Sequence, residues 1–269
     1  MIIKKIKTSS LVTKSKLPAA DFVINPYVGC PHACKYCYAS FMKRFTNHPE
    51  QWGQFLDVKI CDKPIKLKEL AGKSVFLSSV TDCYNKYEKD FEITKSVLEQ
   101  IKYLNSKITI TTKSDLILRD IEILKQFKNL TVSFSINTLD SGFQKDMDKA
   151  SSIEDRLRAL KILHDNKIRT ALFMSPIFPY ITDFKAIIER TKDYVSEFWF
   201  ENLNLRGDYK YTIMNYVKTQ YPKFYAEYKK IYDDKDNAYW ENLENEIREY
   251  CDKNSIDYEI YFYHEKIKK

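Results

Sequence analysis

Alternating strand and helix periodicities place this chain in the α/β class, as a partial, open (β/α)6 barrel with a helical, aromatic-rich C-terminal extension. Three observations carry that expectation. Apolar, β-branched runs recur at 22–28, 74–80, 107–112, 130–136, 169–174 and 197–203. Stretches of helical periodicity lie between them. Strand–helix repetition of this kind implies parallel strands joined by crossovers, and six units fall short of the eight that close a full barrel.

The helical stretches are marked by their apolar spacing. Phe91, Val97, Leu98, Ile101 and Leu104 define one, and Leu116, Ile117, Ile121 and Leu124 a second. Ile153, Leu157, Leu160 and Leu163 define a third, and Ile187, Ile188 and Val195 a fourth. Residues 46–72 fall outside the repeat and read as an irregular insertion with a short strand at 55–60. From 208 onward the chain reads as helical, with Tyr221, Phe224, Tyr225, Tyr228 and Tyr232 on one face, and 258–263 as a closing strand. That tyrosine spacing fits a packed amphipathic face better than a base-stacking platform. We therefore divide the chain into a core at 1–207 and an extension at 208–269 packed on it.

Composition narrows the function classes. A hydrophobic content of 44% supports a sizeable core, and 5 Gly with 8 Pro argue against long disordered stretches. No segment approaches the ~18 consecutive apolar residues that span a bilayer, and the charged N-terminus does not resemble a signal peptide. A cytoplasmic location with reduced thiols is the expectation. The formal charge of +7 permits contact with nucleic acid without requiring it, and many lysines beside glutamates read as solvated helix faces.

The most informative segment is Asn25-Pro-Tyr-Val-Gly-Cys-Pro-His-Ala-Cys-Lys-Tyr-Cys-Tyr-Ala-Ser40. Cys30, Cys34 and Cys37 supply three thiolates on one loop, one short of the four that an iron–sulfur cluster or structural zinc usually takes. A cluster held by three leaves one iron open to chemistry. Gly29 suits a positive φ before the first ligand, Pro31 stiffens the backbone after it, and Tyr36 and Tyr38 flank the last cysteine. Zinc is the alternative metal, with His32, His48 or Cys61 as its fourth ligand, although a second Cys-x2-Cys pair is missing. A disulfide with a spare thiol is the third reading.

Cys-x3-Cys-x2-Cys with an aromatic before the third cysteine resembles the signature of the radical S-adenosylmethionine (SAM) superfamily. The longer run resembles its spore-photoproduct-lyase-like branch, as do Val75-Phe-Leu-Ser-Ser-Val-Thr-Asp82, Thr109-Ile-Thr-Thr-Lys-Ser114 with Leu118-Arg-Asp120, and Val132-Ser-Phe-Ser-Ile-Asn137. Within the branch the chain is most similar to small proteins encoded as a mobile gene pair. The resemblance covers about 18–206 and implies a partial TIM-like barrel. It also implies a 4Fe-4S cluster at Cys30, Cys34 and Cys37, bound SAM, and reductive cleavage of SAM to a deoxyadenosyl radical. An external electron donor of flavodoxin or ferredoxin type, and a second radical SAM protein, are the partners it implies.

By the same resemblance, Tyr36 belongs to the cofactor site. Asp82 would hold the SAM ammonium, a role its charge suits, with a helix cap as the competing role. Lys113 would hold the SAM carboxylate, since a buried ammonium needs a partner. Ser135 and Asn137 share one strand face and would meet carboxylate and ribose. Ile177 would pack on adenine, although core packing also explains it. Asn202, Asn204 and Arg206 alternate at the sixth strand's end and reach cofactor or substrate, or cap the strand.

Photoproduct lyases use a cysteine as hydrogen-atom donor, and the matching position here is Val80, which puts DNA photoproduct repair in doubt. Cys83 is the substitute donor, with Tyr38 or Tyr84 as radical relays. Cys251 reads as packing, and Cys61 has no assigned role. The expected substrate is a nucleic acid or nucleotide. The rival readings are radical modification of a peptide or partner protein, and a non-enzymatic cluster- or zinc-binding scaffold.

Overall fold

The computed structural model describes residues 1–18 and 20–262. Eleven strands form among them: β1 (Ile2–Lys7), β2 (Val12–Lys14), β3 (Phe22–Ile24), β4 (Tyr27–Val28), β5 (Phe55–Ile60), β6 (Ser74–Leu77), β7 (Lys107–Thr112), β8 (Leu130–Ser135), β9 (Arg169–Ile177), β10 (Glu197–Asn202) and β11 (Tyr258–Ile260). Eight of them make one sheet in the order β11-β10-β9-β8-β7-β6-β3-β2. Every neighbouring pair is parallel except β2 with β3. The six expected strands are thus present and adjacent in chain order. The outermost strands, β2 and β11, are not paired with each other, so the mixed α/β sheet is consistent with a partial TIM-like fold.

Strand alternation divides the residues between two faces. Ile108, Ile110, Val132, Phe134, Leu172, Met174, Phe198 and Phe200 are buried and join Val97, Leu98, Leu157, Leu160, Ile187 and Ile188 of the flanking helices in one core. The other face of the central strands carries Thr109, Thr111, Thr131, Ser133, Ser135, Phe173 and Ser175. The helices at Ile93–Ile101, Ile153–Asp165 and Phe184–Thr191 match the expected periodicities. The stretch around 116–124 forms as a 3-10 turn, Asp115–Asp120, running into a short α-helix, Ile121–Leu124.

The extension forms helices Gly207–Gln220, Tyr225–Tyr232 and Ala238–Lys253 and then returns as β11, which joins the main sheet beside β10. Tyr228 and Tyr232 anchor the second of these helices. Their hydroxyls donate to the carbonyls of Pro179 (3.1 Å) and Leu203 (2.8 Å). The closing strand is formed over Tyr258–Ile260, and Tyr263 lies outside the described residues.

β1, β2, the separate strand β4 and one helix after β8 were not anticipated. β1 pairs parallel with β5, and β4 pairs antiparallel with β5, making a second sheet of three strands. The expected strand at 22–28 is accordingly split, β3 belonging to the main sheet and β4 to the small one. A helix at Ser141–Met147 follows β8, capped by Asp140, whose Oδ1 accepts from Gly142 N and Phe143 N.

Candidate cluster and cofactor site

The cysteine loop follows directly on β4. Each cysteine carbonyl closes a turn: Ala33 N donates to Cys30 O, Cys37 N to Cys34 O, and Ser40 N to Cys37 O, each at 3.2 Å. The three cysteines thus open three successive turns of one loop. The loop is held from three sides. Thr81 Oγ1 donates to Gly29 O (2.6 Å), and Asn25 Nδ2 donates to Ser79 Oγ (2.8 Å), tying it to the segment after β6. Lys35 N donates to Met147 O (2.9 Å) and Lys149 N to His32 O (2.7 Å), tying it to the end of the 141–147 helix.

The insertion supplies the third side. Gly29 has φ +84°, and a Cβ there would stand 2.4 Å from the Phe55 carbonyl. Gly53 has φ +93°, and its Cβ would stand 2.7 Å from that of Ala33. Only glycine permits both approaches. Next to Gly53, the buried Trp52 indole N–H makes no hydrogen bond but lies near enough to the Cys37 thiol to ease its ionisation.

All three cysteines are free thiols with partial exposure. Burial pushes each thiol above its ordinary range, Cys34 up to about 12, with Lys113 opposing the rise at Cys34 and Cys37. At these values the thiols are protonated, and a bound metal would take them as thiolates with release of their protons. The proposed zinc ligands are committed elsewhere. His32 Nε2 lies 3.0 Å from Asp82 Oδ2. His48 is clamped between Glu50 (2.8 Å) and Asp57 (2.9 Å) and stacks on Phe55. The Cys61 thiol donates to Lys63 O. Among the described residues no three His, Cys, Asp or Glu side chains converge on a single ion. The donor set therefore fits a three-thiolate cluster better than mononuclear zinc.

Asp82 is buried, and its partners are all from the protein. Oδ1 accepts from Tyr84 N (2.9 Å) and Thr112 Oγ1 (2.8 Å), and Oδ2 from Lys113 N (2.8 Å), with His32 at 3.0 Å. Burial works to raise its pKa, but His32 and these hydrogen bonds outweigh that and hold it at about 2. Oδ1 thus takes two hydrogen bonds and Oδ2 one, while His32 Nε2 stands 3.0 Å from Oδ2 without a hydrogen bond of its own. Through these contacts the carboxylate ties the cysteine loop to β7.

Lys113 follows β7, its Nζ 5.7 Å from the centre of the Tyr36 ring. Tyr36 is buried edge-on against Phe178 (5.5 Å), its hydroxyl donating to Asp148 Oδ2 (3.3 Å). Ser135 and Asn137 are buried at the end of β8. The Ser135 carbonyl accepts from Arg156 Nη1 (3.1 Å), and Asn137 Nδ2 donates to Pro176 O (3.0 Å). Ile177 is buried at the end of β9. Asn204 accepts from Arg206 Nε (3.0 Å) through Oδ1 and from the Tyr209 hydroxyl (2.6 Å) through its carbonyl. Tyr38 is half exposed, its hydroxyl donating to the Ser79 carbonyl. Cys83 is fully buried in the core beside Asp82 and Glu88, which with burial push its thiol well above its ordinary range. Tyr84 is equally buried, its hydroxyl donating to Asp120 (3.2 Å).

Sequence reasoning missed the support beneath the loop. Arg156 is fully buried and donates to Asp148 Oδ1 (2.6 Å), Ser151 O (2.8 Å) and Ser135 O (3.1 Å). Burial pushes the Asp148 carboxyl up, but Arg156, then Lys113 and a bond from Gln144, hold it below its ordinary value. An arginine among the core-facing positions of the 153–165 helix was the available signal. Glu201 was also missed. Its carboxylate accepts from Ser175 Oγ across the ends of β9 and β10.

The pattern of the radical SAM superfamily matches residues 24–190. The chain belongs to the radical SAM superfamily. An uncharacterised protein of Methanocaldococcus jannaschii is 40% identical over 225 residues, 83% of this chain and 85% of that protein. A second uncharacterised relative, from the Acidianus two-tailed virus, is 29% identical over 171 residues, 59% of this chain and 56% of its own length. Among solved structures, spore photoproduct lyase complexed with dinucleoside spore photoproduct superposes with a TM-score of 0.59 at 16% identity, covering 82% of this chain. Streptococcus suis SuiB bound to S-adenosylmethionine gives 0.60 at 18% identity over 88%. This chain spans 66% of the lyase chain and 49% of SuiB, so these likenesses concern the fold.

Proposed function

We propose that this radical SAM protein is an enzyme that carries one 4Fe-4S cluster on Cys30, Cys34 and Cys37 and acts on a nucleic acid or nucleotide. The observation that carries the cofactor reading is the three-turn cysteine loop, whose candidate fourth side-chain ligands are all engaged elsewhere. Bound there, the cluster and SAM would supply a deoxyadenosyl radical able to take a hydrogen atom from substrate.

This chain's own residues do the holding. Lys113 stands beside the loop with its charge toward Cys34 and Cys37, where it can pair with a SAM carboxylate. Tyr36 lies on the loop beside Lys113, Ser135 and Asn137 stand at the end of β8, Ile177 at the end of β9, and Asn204 follows β10; these are the residues we assign to the cofactor. Asp82 keeps the loop against β7. Cys83 has no exposure through which to meet a substrate, so Tyr38 is the residue we assign to radical transfer. A donor of flavodoxin or ferredoxin type would supply the electron. The nucleic-acid substrate rests on the lyase-like fold and the basic charge.

Anaerobic reconstitution is expected to give about four irons per chain, lost in Cys34→Ala. Incubation with SAM, reductant and cellular DNA or RNA, followed by nucleoside mass analysis, is expected to show 5′-deoxyadenosine and an altered nucleoside. Stoichiometric zinc without an iron absorption band rejects the cofactor. Deoxyadenosine formed with every nucleoside unchanged, and adducts on protein instead, rejects the substrate.

A further inference from the structure

The charge of this chain is concentrated at one end. Residues 1–49 hold eight Lys and Arg against one acid, Asp21, while the remainder holds 36 of each sign. The whole excess of +7 therefore sits in the segment that carries the cysteine loop. From Phe22 to Pro49 there is no acidic residue at all.

That segment also exposes aromatic surface beside the loop. The 3-10 helix Tyr38–Phe45 starts directly after Cys37, and three residues per turn align Tyr38, Phe41 and Arg44 in one row. Tyr38, Phe41 and Phe45 are 53%, 44% and 67% exposed. The Arg44 guanidinium carbon lies 5.4 Å from the centre of the Phe41 ring and 4.7 Å from that of Phe45. Lys43 is held nearby by the Pro49 carbonyl (3.2 Å), and Lys35 by the face of Tyr216 (5.3 Å). Large exposed rings clustered on one short helix mark an interaction surface. Rings bracketing a cation, on a stretch free of acids, match a polymer of alternating planar bases and phosphates.

We propose that the Tyr38–Phe45 helix is a binding strip for single-stranded nucleic acid, with Phe41 and Phe45 stacking bases and Arg44 neutralising a phosphate. The strip begins at Tyr38, whose hydroxyl is anchored at the strand-end carbonyl of Ser79, so a bound strand is led from the helix toward the cysteine loop. An acidic electron carrier would need the cations but not the rings, which is why the nucleic acid is preferred. The inference rests on the nucleic-acid reading above and adds to it the surface that does the binding.

The test uses cluster-loaded protein with SAM and fluorescence anisotropy of labelled single-stranded DNA and RNA oligonucleotides of mixed sequence, alongside the matching duplex. The single strands are expected to bind, with affinity falling linearly in log salt. Arg44→Ala should reduce that slope by about 0.7. Phe41→Ala and Phe45→Ala should each weaken binding roughly 5- to 150-fold with the slope unchanged. Iron content and dithionite-driven SAM cleavage should match wild type in all three. Wild-type affinity in the variants overturns the strip while leaving the substrate reading standing. So does preference for duplex, or a loss confined to cluster reduction by flavodoxin. Failure of wild-type protein to bind any nucleic acid overturns the strip and the nucleic-acid substrate together, leaving only a free nucleotide.

Discussion

Replacing Arg156 by Met removes the cation under the cysteine loop while keeping most of the side-chain volume. Arg156 has no solvent exposure and gives three hydrogen bonds, one of them to the buried carboxylate of Asp148. With the cation gone, Asp148 keeps Gln144, the Ala150 N–H and the Tyr36 hydroxyl as partners but loses its buried counter-ion. Breaking a buried pair from one side costs about 3–5 kcal/mol, a large share of the roughly 5–15 kcal/mol that holds a domain together. The carbonyls of Ser135 and Ser151 lose a donor as well, which places the cost toward the upper end. Urea unfolding of the metal-free protein measures it directly. A second change, Asp148→Asn, removes the stranded charge, so the double variant should be more stable than Arg156→Met alone. A loss below about 1 kcal/mol, or a double variant no more stable than the single one, would refute the reasoning.

Lys113→Met should weaken SAM binding to the reconstituted protein about 10- to 100-fold, the worth of one charge-assisted hydrogen bond, with iron content preserved. Equilibrium dialysis reads the first and an iron assay the second. Trp52→Phe keeps an aromatic ring, though a smaller one, and removes the N–H beside Cys37. Hydrogen bonds to cluster sulfurs raise the reduction potential, so the potential measured by redox titration should move negative, and an unchanged potential would deny the contact. Acid should weaken the fold partly through Asp148. Its folded pKa lies below the ordinary value of about 3.9, so its stabilisation is present above that value and is lost as pH falls through the lower folded one. Asp148→Asn should therefore show a flatter loss of thermal midpoint below about pH 4 than wild type does.

Local signals were legible and distant ones were not. The six main strands declared themselves because each is a short run of apolar β-branched or aromatic residues. The cysteine loop was equally plain, since its turns close within three residues. β1 was hidden because it is an edge strand with five of six residues exposed, so Ile2–Lys7 shows no buried face to read. The helix at Ser141–Met147 covers seven residues, about two turns, too few for a period to emerge.

What sequence could not give is the clamp on the loop, because its parts meet only in the fold. Tyr36 and Asp148 are 112 residues apart, and nothing in either neighbourhood predicts the other. Gly53 read as part of an irregular insertion, yet its missing side chain is what allows Ala33 to approach. Asp82 shows the same limit from the opposite side. Its position at a strand end was legible and suggested a cofactor contact, but the number of protein donors already facing it was not. Its charge holds His32 on one side and the end of β7 on the other, so its neutralisation to Asn should loosen the tie from His32 to β7 whether or not SAM is present.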